Sequence, residues 1–103
     1  MNPSKTVDAN GWTVYNFGAY KMYIKGGFTA AIGANGYGTT SPATLPVGKT
    51  SSTVMPVGIS LKNGVGQVIY DINFSSSTTV NLAIHSVAGV GLTVEGTITF
   101  IDA

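Results

Sequence analysis

The chain contains no cysteine and no arginine, and its only histidine is His85. Without cysteine there is neither a disulfide framework nor a thiolate metal ligand, and a single histidine cannot make a zinc site. Without arginine the chain lacks the side chain that most often forms bidentate hydrogen bonds with guanine and with phosphate groups. The five lysines are scattered. These absences argue against a metal cofactor and against a nucleic-acid partner.

Charge of either sign is also scarce. Only 9% of the residues are charged and the formal net charge is +1, whereas an average soluble domain is about 25% charged. So few charges protect a monomer poorly against association. We therefore expect much of the surface to be buried against further copies of the chain. The alternative is that serine, threonine and asparagine keep the surface hydrated without charge.

No apolar run approaches the roughly 18–20 residues that a membrane-spanning helix needs, so no membrane insertion is expected. The segment Met1-Asn2-Pro3-Ser4-Lys5 lacks the apolar centre of a signal peptide. At 103 residues the chain has the usual size of one domain. We expect a single domain over 1–103, with 1–10 as a candidate linker or neck remnant.

Alternating apolar and polar residues, 14 glycines and dense serine and threonine predict strands and no helix. The longest stretch without a strand pattern is 34–52. The predicted fold is all-β, a small antiparallel sandwich or barrel of about seven strands with a Greek-key or jelly-roll character. The strands are expected near 12–17, 20–25, 27–33, 53–62, 65–74, 79–86 and 91–101.

The region 53–86 is predicted to be a three-stranded antiparallel meander. Asn63-Gly64 favours a two-residue turn, which pairs Val57 with Tyr70 and Met55 with Ile72, and the missing N–H of Pro56 predicts a break or bulge. A second hairpin with the loop 75–79 faces Phe74 toward Val80. Both registers turn one apolar set inward: Met55, Val57, Ile59, Val68, Tyr70, Ile72, Phe74, Val80, Leu82 and Ile84, with Leu92, Val94, Ile98 and Phe100 added by the last strand.

No catalytic pattern stands out. There is no nucleophile elbow, and only four carboxylates exist, at Asp8, Asp71, Glu95 and Asp102. The glycine-rich segment 33–38 lacks the lysine of a phosphate loop and is interpreted as a glycine turn. We therefore expect a binding protein that uses no cofactor.

One polar constellation suits a ligand. The two hairpins place Asp71, Asn73, Asn81 and His85, together with Gln67, on the sheet face opposite the core, and a solvated sheet face without function is the alternative. Cross-strand neighbours are about 5 Å apart, so these carboxylate, amide and imidazole groups suit the hydroxyls of a sugar or polyol. Trp12 or Tyr37 would supply a stacking surface.

Most of the chain resembles the head domains of receptor-binding proteins from tailed phages of lactic-acid bacteria. The resemblance covers roughly 20–103 and rests on three segments: the turn Leu45-Pro46-Val47-Gly48, the strand Ile69-Tyr70-Asp71-Ile72, and the ending Gly96-Thr97-Ile98-Thr99-Phe100-Ile101-Asp102.

The resemblance implies a homotrimer on the phage baseplate that contacts other baseplate or tail proteins and binds host cell-wall saccharide. Asp71 matches the strand aspartate that contacts polyols in such heads, whereas the arginine that accompanies it there has no counterpart. The protein would then belong to the virion and act at the host cell surface. Two alternatives remain: a structural baseplate or fibre domain without glycan binding, and a carbohydrate-binding module of a cell-wall enzyme.

Overall fold

The computed structural model describes residues 3–40, 42–62 and 69–103, and within these ranges the chain forms strands and no helix. No described segment is therefore a helix that would cross a membrane. The nine strands of this part of the chain are β1 (Ser4–Val7), β2 (Thr13–Asn16), β3 (Lys21–Ala31), β4 (Tyr37–Thr39), β5 (Ala43–Thr44), β6 (Val54–Leu61), β7 (Ile69–Ser76), β8 (Thr79–His85) and β9 (Thr93–Asp102).

The strands form two antiparallel sheets. Sheet A has the order β1-β2-β3-β9-β6. In sheet B, β8 is central, with β7 on one side and the short strands β4 and β5 on the other. The all-β prediction is confirmed, and the arrangement is consistent with a small sandwich. β1 lies in the candidate linker segment and β4 and β5 lie in the stretch without a strand pattern. The two strands predicted at 20–25 and 27–33 are one strand, β3, with a bulge between Lys25 and Phe28.

The inner faces of the two sheets supply one core. β9 contributes Val94, Ile98 and Phe100, which are buried as the alternation predicts. Leu92, expected with them, is 47% exposed, because it precedes β9 in a turn. The buried apolar residues are Trp12, Tyr23, Phe28, Ala30, Ile32, Leu45, Val54, Val80, Leu82, Ile84, Val94, Ile98 and Phe100.

Trp12 is a core residue, and its predicted role as a stacking surface for a ligand is wrong. Its side chain is fully buried, and its ring lies 5.6 Å from that of Phe100. The indole Nε1–H donates a 2.8 Å hydrogen bond to the carbonyl of Thr44. The turn before β2 fixes this position, because the Asp8 carboxylate accepts the backbone N–H of Trp12 at 2.9 Å and that of Val47 at 2.9 Å. Trp12 thus links sheet A to β5.

The three-stranded meander over 53–86 is also wrong, because β6 and β7 lie in different sheets. β6 pairs with β9, so Met55 faces Ile101 instead of Ile72. Consequently Met55 and Val57, predicted to be inside, are 50% and 57% exposed. The predicted irregularity at Pro56 is confirmed as a bulge between Pro56 and Gly58. The Asn63-Gly64 turn, Gln67 and Val68 lie outside the described residues.

The second predicted hairpin is confirmed in its register, but its loop is shorter than the predicted 75–79, because Ser76 pairs with Thr79 across a bulge. β7 pairs with β8 so that Phe74 faces Val80, Ile72 faces Leu82 and Tyr70 faces Ile84. The β8 residues of these pairs are buried, while Ile72 and Phe74 pack against the core in part. Tyr70, however, is 44% exposed. It lies on an edge strand, and its hydroxyl is 3.7 Å from the position of a Cβ at Gly58, which places it beside β6.

A cluster of polar side chains holds the C-terminal end of β9 in place. Asp102 forms a 2.9 Å ion pair with Lys49 and accepts a 2.7 Å hydrogen bond from the Tyr23 hydroxyl and a 3.1 Å bond from the N–H of Lys21. Desolvation acts to raise the pKa of Asp102, but these bonds together hold it below its ordinary value. Desolvation and the bond to Asp102 raise the pKa of Tyr23, and the bond to Asp102 raises that of Lys49. The cluster ties β9 to β3 and to the β5–β6 loop.

Candidate functional site: the outer face of sheet B

The outer face of sheet B brings together four polar residues that the sequence predicted as a site, Asp71, Asn73, Asn81 and His85, and it also carries Tyr37. β8 pairs with β7 on one side and β4 on the other, so three short rows cross this face. In the first row His85 lies between Tyr37 and Ile69. In the second, Ala83 lies between Thr39 and Asp71, and in the third Asn81 faces Asn73. Residues in one row share a face because cross-strand partners point the same way.

A pair of aromatic rings lies near one end of this face. Tyr37 is 59% exposed, and its ring centroid lies 4.3 Å from that of His85 at an angle of 46°. The glycine turn before β4 fixes the pair: Gly33 donates to the carbonyl of Tyr37, and Ser86 donates to that of Gly36. Gly36 has φ +82°, and a Cβ there would lie 3.0 Å from Nε2 of His85. Only glycine therefore suits this close approach without strain.

Polar groups occupy the rest of the face. The amide of Asn81 donates to Oδ1 of Asn73 at 3.5 Å, which orients both side chains across the strand pair. Asp71 is exposed, and its carboxylate forms no ion pair or hydrogen bond with any described residue. It is therefore available as an acceptor for a ligand.

Ala83 forms the floor between these groups. A small depression of about 100 Å³ lies over it, lined in part by Tyr37, Asp71 and His85. A second depression of about 290 Å³ adjoins it on the side of Asn73 and Asn81. Because both contain Ala83, they form a continuous shallow groove. A short side chain at this position, between longer side chains on β8, is what creates the groove.

An apolar extension continues the groove past the aromatic pair. Ile69 and Val87 are 72% and 76% exposed, and together with His85 and Ala88 they line a depression of about 420 Å³. The face therefore runs from an apolar end, through an aromatic pair, to a carboxylate and two amides. This order of chemical groups along the groove suits a ligand that has both apolar C–H surfaces and hydroxyl groups.

The sequence predicts the polar side chains of the groove but not the residues that support them. It indicates Tyr37 only as one of two alternative aromatic residues, and it does not single out Thr39, Ile69 or Ala83. Their signal is the alternation in Tyr37-Gly38-Thr39, which continues the face of β8 onto a third strand. This alternation is too short to stand out within a glycine-rich stretch. No group of three or more metal-ligating side chains occurs in the described ranges.

The structure is that of an all-β protein with two antiparallel sheets. A shallow groove lined by polar and aromatic side chains lies on the outer face of sheet B. Comparison of the chain with protein-family models, with curated proteins and with solved structures finds no match.

Proposed function

We propose that this protein is a non-enzymatic saccharide-binding domain and that the groove on the outer face of sheet B is its binding surface. The observation that carries the proposal is the exposed Tyr37–His85 pair beside the free carboxylate of Asp71, with Ala83 as the floor between them. An aromatic ring stacks on the C–H face of a sugar, while carboxylate and amide groups bind its hydroxyls. The shallow groove fits a short part of a polymer held weakly at each site.

We further propose that the domain is the head of a phage adhesin that recognises host cell-wall saccharide. The support is the resemblance of the segments around Leu45, Asp71 and Phe100 to such heads, together with a groove open enough to receive an internal stretch of a long glycan. The missing arginine indicates a different ligand geometry from the one that the resemblance implies. Phage tails meet intact cell walls, where several weak sites on one head add to a strong attachment.

The test of the site is the substitution Asp71→Asn, which removes the charge and keeps the shape. Hydrogen bonds to a charged group contribute more than neutral ones, about 1.5–3 kcal/mol against about 1 kcal/mol. We therefore expect binding to isolated cell walls of lactic-acid bacteria to weaken about tenfold. Glu95→Gln is the matched control, because it makes the same charge change on β9 of sheet A and should leave binding unchanged.

Equal binding by wild type and Asp71→Asn, with the fold intact, would remove Asp71 from the site. No binding by the wild type to any wall preparation would favour the structural baseplate or fibre domain.

A homotrimer is the oligomeric state that we propose. Its support is the charge content of 9% together with exposed apolar side chains on the edge strands β6 and β7, among them Met55, Val57 and Tyr70. Light scattering at micromolar concentration should give three times the chain mass of 10.6 kDa. A monomer that still binds cell walls would instead favour a carbohydrate-binding module of a cell-wall enzyme.

A further inference from the structure

Lys25 points toward the interior of the sandwich, which is unusual for a lysine. It lies opposite Ile98 in the pairing of β3 with β9, and Ile98 is fully buried. Because directly opposed residues share a face of the sheet, the Lys25 side chain starts out on the inner face of sheet A. The bulge between Lys25 and Phe28 follows immediately, and the side chain is half-buried.

The ammonium group of Lys25 has no anionic partner in the described part of the chain. The ion pairs found there belong to Lys49 and Lys62, and the Lys25 side chain forms no hydrogen bond with a described group. Its Nζ lies 2.8 Å from the position of a Cβ at Gly11, so the glycine there makes room for it. Partial burial of a charge without a partner is unfavourable, and an anion beside it would offset that cost.

A cavity of about 240 Å³ adjoins this lysine. Its walls are the Lys25 side chain, the bulge residues Gly26 and Gly27, and residues of β3 and of the β4–β5 segment. Gly27 has φ +79°, and no atom of the described residues lies within 4 Å of a Cβ position there, so the bulge leaves the backbone accessible. The Thr40 hydroxyl is already engaged, since it donates to the carbonyl of Leu82 and accepts its N–H. Thr29 lies opposite Glu95, on the outer face of the sheet, so among the described polar side chains of the lining Lys25 is the one that is both inward and free of a bond.

We propose that this cavity binds a compact oxyanion, a phosphate or a carboxylate group, through the ammonium of Lys25. An ammonium offers three donors, so it can hold more than one oxygen of such a group. The cavity is small enough for a single anionic group and lies at the bulge of β3, away from the outer face of sheet B. The proposal therefore stands independently of saccharide binding in the groove.

The experiment measures thermal unfolding and amide NMR spectra with added sodium phosphate or sodium acetate, against sodium chloride at equal ionic strength. A ligand that binds only the folded state raises the melting temperature. We expect phosphate, acetate or both to raise it saturably for the wild type and to shift the amides of Gly26, Gly27 and Thr29. Lys25→Met should weaken this binding about tenfold or more. Lys21→Met, which removes an exposed lysine on the same strand, should behave as the wild type.

Three outcomes would overturn the proposal: no saturable effect of either anion on the wild type, an undiminished effect on Lys25→Met, or amide shifts confined to other regions. The first two would leave Lys25 as an inward-facing charge that binds no anion. If Lys25→Met does not fold, Lys25→Arg keeps the charge and decides the matter, because it should retain binding with altered shifts at Gly26 and Gly27.

Discussion

Replacing Trp12 with alanine is expected to lower the free energy of unfolding by about 3–5 kcal/mol, which is the usual cost of removing a large buried aromatic side chain. Trp12 is fully buried, contacts Phe100 and donates to the carbonyl of Thr44. Its loss leaves both a cavity between the sheets and an unpaired carbonyl on β5. Because small domains are stable by only about 5–15 kcal/mol, the variant should be partly unfolded at 37 °C.

Urea unfolding followed by circular dichroism measures this effect, since Trp12 is the only tryptophan and its fluorescence is lost in the variant. Trp12→Phe should fall between wild type and alanine, because it keeps most of the packing and loses the hydrogen bond. Tyr20→Ala is the control: Tyr20 is 45% exposed and its ring packs on that of Phe17 in the described part of the chain, so the cost should stay below about 1 kcal/mol. An equally small cost for Trp12→Ala would contradict the described core.

The second large effect is expected at Tyr37. Truncating a central aromatic anchor of a binding surface typically costs about 2 kcal/mol or more, which corresponds to about thirtyfold in affinity. Tyr37→Ala removes the ring and also exposes one face of His85, which the ring now covers. We therefore expect binding to cell-wall saccharide to be weakened about thirtyfold or more, with little change in stability, because Tyr37 is 59% exposed.

Affinity for cell walls is measured for wild type, Tyr37→Ala, Tyr37→Phe and Tyr20→Ala. Tyr37→Phe retains the ring and should bind nearly as well as the wild type. Tyr20→Ala removes another exposed tyrosine, in the turn between β2 and β3, and should bind fully. Normal binding by Tyr37→Ala would exclude the aromatic pair from the binding surface.

The hairpin β7–β8 shows what the sequence can predict. Its loop residues limit the register, and only one register turns Ile72 and Phe74 toward the same side as Leu82. The polar residues Asp71 and Asn73 then fall on the other side without further assumptions. Local alternation and a short loop therefore predicted both this strand pair and most of the polar site.

The partner of β6 could not be predicted in the same way. Alternation indicates which residues share a face, but it does not identify the neighbouring strand. Met55 and Val57 alternate as an inward set would, yet the bulge at Pro56 and the pairing with β9 leave both exposed. Pairing between β6 and β9 joins residues far apart in the chain, and no local signal in the sequence specifies it.

Trp12 shows the same difficulty for a single side chain. An isolated tryptophan beside a glycine is compatible with a core position and with an exposed stacking surface. The decision rests on the carboxylate of Asp8, which holds the turn, and on the carbonyl of Thr44, which lies 32 residues further along the chain. The contact with Thr44 joins sheet A to β5 and is therefore not visible in the local sequence around Trp12.

Amide NMR mapping of the folded domain during titration with soluble cell-wall saccharide is the most direct test of a saccharide site on sheet B. We expect saturable shifts that cluster on the outer face of sheet B, at Tyr37, Thr39, Asp71, Ala83 and His85, while the outer face of sheet A stays unchanged. Saturable binding with shifts centred on sheet A, or on the cavity beside Lys25 alone, would contradict the assignment of the saccharide site to this groove.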